Sequence, residues 1–236
     1  GTWSLGTRGP VTLRIGEVEN LVTARNITAD LQGDYPWTED NPLLLTNVKV
    51  ETLGGKITMQ QLRMPQHDPA LLRVDNISSS ELISAVNPKQ FAMSGPVSGA
   101  LPFWLDNEKW IIKDGWLTNP GPMTLRIDKD TADAIVKDNM VAGAAINWLR
   151  YMEISRSWTR INLDNLGELT MQATIKGTSR VDGKSSSVNL NYTHDENVFT
   201  LWRSLRFGDN LQTWFEQHAA IPAPRSLTGK ESEEQQ

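Results

Sequence analysis

Apolar residues at every second position are the feature that most limits how this chain can fold. Val11, Leu13 and Ile15 alternate with polar residues, and the same pattern returns at Leu169 and Met171. Successive side chains of a β-strand point to opposite faces, so this alternation predicts strands with one apolar face. We therefore predict a mainly β protein with helices (α+β), whose long antiparallel meander curls into an open groove.

Glycine and Asx residues divide the predicted strands. Leu53-Gly54-Gly55-Lys56 predicts a hairpin, because glycine reaches the positive φ that tight turns need. Asp114-Gly115, the run from Asp164 to Gly167, and Asp182-Gly183 predict three more turns.

Helical spacing is confined to a few segments. Apolar residues three and four positions apart predict one long helix over Thr131–Tyr151. A short helix is predicted between Ser78 and Asn87, and two more near the C-terminus, over residues 201–205 and 211–215.

Composition limits domain number and function class. The 236 residues contain 39% hydrophobic and 22% charged residues, which predicts a folded chain. We assign residues 1–221 to a single domain and residues 222–236 to a disordered acidic tail. A net charge of −5 disfavours nucleic acid as a partner, and the lack of cysteine excludes disulfides and thiolate metal sites.

Candidate catalytic groups are few. His67-Asp68 and His194-Asp195-Glu196 are the two places where a histidine adjoins carboxylates. Neighbouring residues of a strand face opposite ways and no second ligand pair stands at helical spacing, so solvated turns are the favoured interpretation. We predict no catalytic residue, metal or cofactor, with an enzyme using His194 kept as a minor alternative.

The predicted strands carry more apolar surface than the predicted helices can cover. Such a sheet must close on itself, be covered, or bind an apolar ligand. Lipid acyl chains would fill it through apolar contact alone, without any acid or base. An ordinary filled core, making the chain a β-rich scaffold or interaction domain without cargo, is the alternative.

A family resemblance covers residues 91–215. The strand Val97-Ser98-Gly99-Ala100-Leu101-Pro102, the Asp114-Gly115 turn, and Pro120-Gly121-Pro122 before the next strand resemble the C-terminal region of AsmA-superfamily proteins. Trp148-Leu149-Arg150-Tyr151 and Gly167-Glu168-Leu169 continue the likeness. Met123 departs from it, since the family more often has a small residue after Pro-Gly.

The resemblance implies a function and a location. AsmA-like proteins are anchored in the inner membrane of Gram-negative bacteria by an N-terminal helix, which this chain does not contain, and span the periplasm as a β groove. The resemblance implies that the bridge conducts phospholipid toward the outer membrane. Combined with the alternation, this predicts a lipid-binding set of thirteen apolar residues: Val48, Val50, Ile57, Met59, Leu101, Phe103, Trp110, Ile112, Leu125, Ile127, Leu169, Met171 and Ile175.

The resemblance also implies a partner. The C-terminal end of such a bridge would meet an outer-membrane lipoprotein, by strand addition to an exposed sheet edge. The last predicted strand is the candidate edge, with the partner-binding residues Ser187, Val188, Asn189, Leu190, Asn191, Tyr192 and Thr193.

Overall fold

A computed structural model describes residues 5–19, 22–86, 91–130, 150–181 and 183–206. The chain is mainly β. The strands are β1 Leu5–Gly6, β2 Val11–Val18, β3 Ala24–Gln32, β4 Asp34–Tyr35, β5 Leu43–Thr52, β6 Gly55–Met64, β7 Ala70–Ser78, β8 Phe91–Ser94, β9 Pro96–Phe103, β10 Trp110–Thr118, β11 Met123–Ile127, β12 Tyr151–Asp164, β13 Glu168–Val181 and β14 Lys184–Asn197. The helices are α1 Ser79–Val86 and α2 Val198–Arg206.

Twelve of the described strands form one antiparallel sheet, and ten of them follow the order β14-β13-β12-β10-β9-β7-β6-β5-β3-β2. The strands β11 and β8 form a branch, in which β11 pairs with the first part of β12 and β8 pairs with β11. The short strands β1 and β4 pair separately. In the described part of the chain β2 and β14 lie at opposite edges, so the sheet is open. The predicted antiparallel meander is confirmed.

The pairing of the described strands slips at six places, and at four of them the bulge has an Asn or Asp residue with positive φ. Asn26, Asn47, Asn76 and Asp114 have φ of 50°, 53°, 51° and 55°, and the pairing slips by one residue beside each of them. Asn and Asp reach the left-handed region at lower cost than other residues with a Cβ. A bulge bends its strand and changes which positions face a given side.

Cross-strand pairing assigns most described side chains to one of two faces. Directly opposite residues share a face, and the pairing runs from Val50 to Ile57, Val74, Gly99 and Leu117 across five strands. We call this side the inner face and the opposite side the outer face. The bulge at Asn47 shifts the alternation of β5 by one residue. Odd-numbered residues before Asn47 and even-numbered residues after it therefore both reach the inner face.

The first buried cluster lies on the inner face of β6 and β7. It consists of Met59, Leu62, Met64 and Ala70, with partly buried side chains such as Phe103 packed against it. The second cluster, which we call the filled end, consists of Met123, Met152 and Ile154. Both β9 and β14, four strands apart in the sheet, contribute partly buried side chains to it, so the inner face is concave there.

The predicted hairpin at residues 53–56 is confirmed, with one change. Leu53 and Gly54 carry the positive φ of 48° and 72°, whereas Gly55 is the first residue of β6. Gly55 matters for a different reason: a Cβ there would lie 2.3 Å from the backbone oxygen of Asp75. The short helix is confirmed as α1, and the Ser78 hydroxyl accepts a hydrogen bond from the Glu81 backbone N–H at its start.

The predicted turn at Asp114-Gly115 is wrong. Both residues lie inside β10, where Asp114 forms a bulge rather than a chain reversal. A lone positive φ at an Asx residue displaces the pairing by one residue, and only two successive such residues make the tight reversal that the sequence suggested.

Most of the predicted long helix falls on residues 131–149, outside the described residues. Lys129 and Asp130 are helical, but the predicted end is wrong because Tyr151 begins β12, opposite Arg126. The first C-terminal helix is confirmed as α2. The second helix and the acidic tail fall on residues 207–236, outside the described residues.

Candidate functional site

The register places twelve of the thirteen predicted lipid-binding residues on the inner face. On β5 and β6, Val48 pairs with Met59 and Val50 with Ile57. The remaining residues follow the same pairing: Leu101, Phe103, Ile112, Leu125, Ile127, Leu169, Met171 and Ile175. Contact of these side chains with lipid remains a prediction.

Trp110 differs from the other twelve. It lies opposite Asp164, beyond a one-residue slip that separates it from Ile112. The ammonium groups of Lys109 and Lys113 lie 4.9 Å and 4.5 Å from the centre of its ring. Two cations over one indole are a cation–π arrangement, and they make this ring a poor surface for acyl chains.

Several inner-face residues were missed by the sequence analysis. Leu45 and Leu62 pair with each other, and Ile161 pairs with Met171. Ile77, after the bulge at Asn76, is 6% exposed. An Asn within an otherwise alternating strand is the signal that could have located the change of parity.

The inner face is exposed on β2. Val11, Leu13, Ile15 and Val18 are 43–49% exposed, although all four pair with inner-face positions of β3. We call these four residues the open end. Within the described ranges no helix packs on them, since α1 contacts mainly β7 and β8, and α2 contacts β14. Apolar surface of this kind is available to a ligand.

Charge on the outer face alternates along one row. Glu17, Arg25, Glu51, Lys56 and Asp75 stand opposite one another on five neighbouring strands, with signs that alternate from strand to strand. The Arg25 guanidinium lies 2.8 Å from the Glu17 carboxylate. Opposite charges in adjacent positions stabilise the pairing and leave this row nearly neutral.

Asp30 joins three strands on the outer face. Its carboxylate accepts hydrogen bonds from the Asn47 amide at 3.0 Å and the Thr12 hydroxyl at 2.9 Å. The hydrogen bond from Asn47 has the larger effect on Asp30 and the one from Thr12 the next. Together they hold the pKa of Asp30 below its ordinary value, although desolvation acts in the opposite direction.

The two predicted His–carboxylate places lie in different parts of the fold. The His67 ring contacts the Glu39 carboxylate in an exposed loop region. His194 is within β14, opposite Met171, and its Nε2 lies 3.3 Å from a Glu196 carboxylate oxygen. His194 is therefore in a strand rather than the turn that the sequence favoured. Among the described residues, no group of three or more His, Asp or Glu could hold a metal ion.

The predicted partner-binding segment lies inside an edge strand. Residues 187–193 belong to β14, which in the described chain pairs only with β13. Asn189, Asn191 and Thr193 alternate along it and stand opposite the outer-face residues of β13. Partner binding there remains a prediction.

No helix among the described residues is long and apolar enough to cross a membrane.

Comparison with known proteins gives two matches. A family model described as "YdbH-like: Intermembrane phospholipid transport protein YdbH" matches residues 1–220. A curated protein of Escherichia coli (strain K12), named "Probable phospholipid transport protein YdbH", is 77% identical over 236 residues, which is 100% of this chain and 27% of that protein. The chain thus spans about a quarter of the length of this relative. No solved structure is significantly similar to the chain.

Proposed function

The chain belongs to the YdbH-like family, and on that premise we propose that it is a non-enzymatic segment of a phospholipid-conducting bridge. Acyl chains would lie against the inner face while headgroups stay in water. The curated relative's name supports phospholipid as the cargo. The likeness to AsmA proteins supports a bridge that is anchored in the inner membrane and extends through the periplasm toward the outer membrane.

One observation carries this proposal: apolar side chains follow the inner face across ten strands and remain 43–49% exposed at the open end. Burying a methylene group contributes about 0.8 kcal/mol, so a short length of acyl chain would bind appreciably. Apolar contact is also unselective along the face, which allows a chain to slide from strand to strand. No proton transfer or nucleophile is needed for this activity.

A matched pair of double variants tests the proposal. Leu169 and Met171 face inward on β13, whereas Thr170 and Gln172 alternate with them on the outer face. We expect L169D/M171D to lose at least about tenfold of the bound phospholipid, because a carboxylate opposes burial of an acyl chain. T170D/Q172D, with the same charge change on the same strand, keeps its lipid.

The readout is phospholipid per mole of protein in an organic extract, measured by mass spectrometry, with circular dichroism reporting the fold. Equal lipid in both folded variants would contradict the inner-face assignment.

The alternative function, a β-rich scaffold with a filled core, is favoured by the filled end alone, and it predicts wild-type protein without phospholipid. An enzyme that uses His194 predicts an activity that H194A abolishes.

We further propose that β14 binds an outer-membrane lipoprotein by strand addition. Its support is the edge position of residues 187–193. Backbone N–H groups alternate in direction, so of Val188 and Asn189 only one donates away from β13. Proline at the residue whose N–H points away from β13 should abolish partner binding in a folded protein. Proline at the residue whose N–H points toward β13 should instead disrupt the β13–β14 pairing. Undiminished partner capture by the folded variant would contradict strand addition.

A further inference from the structure

Two tryptophans stack on the outer face, away from the proposed acyl-chain surface. The rings of Trp116 and Trp158 are 5.0 Å apart and 9° from parallel, and Trp158 is 50% exposed. Trp116 pairs with Ala100 on one side and Arg160 on the other, while the next residue, Leu117, belongs to the inner face. The stacked pair therefore points away from the inner face.

Four cations surround this pair. Arg156 and Arg160 flank Trp158 on alternate positions of β12. Lys176 stands opposite Arg156 on β13, and Arg73 lies in the same cross-strand row as Trp116 and Arg160, two strands before Trp116. All four are exposed. We call the four cations with Trp116 and Trp158 the tryptophan–arginine patch.

The cations of this patch have no carboxylate partner among the described residues. Within the ranges that the structure describes, none of the four takes part in an ion pair. The residues of β13 opposite Arg156, Trp158 and Arg160 are Lys176, Thr174 and Gln172. The alternating row from Glu17 to Asp75 has three carboxylates and two cations and is nearly neutral, whereas the four positive charges of the patch add up on a protein whose net charge is −5.

The position of the patch limits its occupant. It lies in the interior of the sheet on β7, β10, β12 and β13, each paired on both sides, so no free edge can receive a peptide strand. An exposed indole flanked by cations is the combination found where proteins meet the headgroup region of an anionic bilayer. We propose that the tryptophan–arginine patch docks the outer face onto an anionic phospholipid surface.

The test is co-sedimentation of the purified chain with phosphatidylcholine vesicles, with and without phosphatidylglycerol. We expect binding only to the anionic vesicles, weakening as salt is raised. R156Q/W158A/R160Q should weaken binding at least about tenfold, and R156Q/R160Q, which keeps the stacked pair, should also weaken it. A matched control, R14Q/K56Q/L71A, removes two cations and one apolar group from the outer face elsewhere and should bind normally.

Separate controls distinguish this inference from the proposed function. L169D/M171D, altered on the inner face, should still bind anionic vesicles, and R156Q/W158A/R160Q should still carry phospholipid. Equal binding to neutral and anionic vesicles would overturn the inference, as would wild-type binding by folded R156Q/R160Q. So would retention on an anionic glycan or acidic peptide without retention on vesicles.

Discussion

At the filled end Met152 and Ile154 are 0% and 3% exposed, whereas at the open end Leu13 and Ile15 are 43% and 49% exposed. All four are apolar residues at alternating positions of a strand, and all four point to the same face of the same sheet. The difference is in what stands opposite. The branch β11–β8 and the curl of β9 toward β14 supply a second wall around Met152. In the described chain β2 has none.

This contrast teaches that alternation determines which way a side chain points, but not whether it is buried. Burial requires a second surface, which at the filled end comes from strands distant in sequence. A single sheet can therefore combine a packed core, which holds the fold together, with apolar surface left for a ligand. The predictions below compare matched positions at the two ends.

Removing a buried methionine should have the largest effect. Met152→Ala leaves a cavity in the filled end and should lower the free energy of unfolding by about 2–5 kcal/mol. Leu13→Ala, at the open end, should cost less than about 1 kcal/mol. Urea unfolding of the delipidated protein measures both. Similar losses at the two positions would remove the distinction between the ends.

Glycine-to-alanine changes should separate the ends next. A Cβ at Gly177 would lie 2.1 Å from the Glu153 backbone oxygen and 2.9 Å from the Met152 Cε, so Gly177→Ala should cost about 1–3 kcal/mol. Gly16, on β2, has nothing within 4 Å of its Cβ position, and Gly16→Ala should be neutral or slightly stabilising. Thermal unfolding reports both, and a tolerated Gly177→Ala would mean that β12 and β13 are less closely apposed there.

The bulge at Asn47 should contribute through its backbone. Its φ of 53° is costly for alanine, so Asn47→Ala should destabilise by about 1–2 kcal/mol. Asn47→Gly removes the same hydrogen bond to Asp30 while permitting that φ, and it should be the more stable of the two variants. If both variants unfold at the same denaturant concentration, the left-handed conformation is not what the residue contributes.

The smallest effect concerns the acid limb of the stability profile. The Asn47 and Thr12 hydrogen bonds lower the folded-state pKa of Asp30, so its stabilising contribution is present above the unfolded-state pKa and is lost as pH falls through the folded-state value. Asp30→Asn should therefore be slightly less stable than wild type at neutral pH, and the difference should begin to shrink below about pH 4 and vanish only below the lowered folded-state pKa of Asp30. Unfolding midpoints at both pH values check this, and a difference that persists in acid would contradict it.

Local sequence patterns predicted the local features of this fold. Alternation located the strands around Val11–Ile15 and Leu169–Ile175, and the hairpin glycines located the β5–β6 turn. The bulge at Asp114 was mistaken for a turn, because an Asx-Gly pair has the same appearance in both. The β11–β8 branch could not be predicted, since its pairing joins residues far apart in the chain.

The same alternation predicted most residues of the candidate site. A register slip and contacts between distant strands account for the residues that were misplaced or missed. Twelve of thirteen residues share the inner face because a two-residue period fixes direction within a strand. Trp110 stands apart because the register slips beside it. The open end was not singled out, because the exposure of Leu13 depends on what lies opposite, which a strand's own sequence does not record.

Photo-crosslinking tests the central claim most directly. A benzoylphenylalanine placed singly at Ile15 and Ile57 on the inner face, and at Arg14 and Lys56 on the outer face, is irradiated in cells, and the intact protein mass is then measured. We expect a mass increase of one phospholipid at the two inner positions and none at the two outer positions. Adducts of equal yield on both faces, or none at Ile15 and Ile57, would contradict the account.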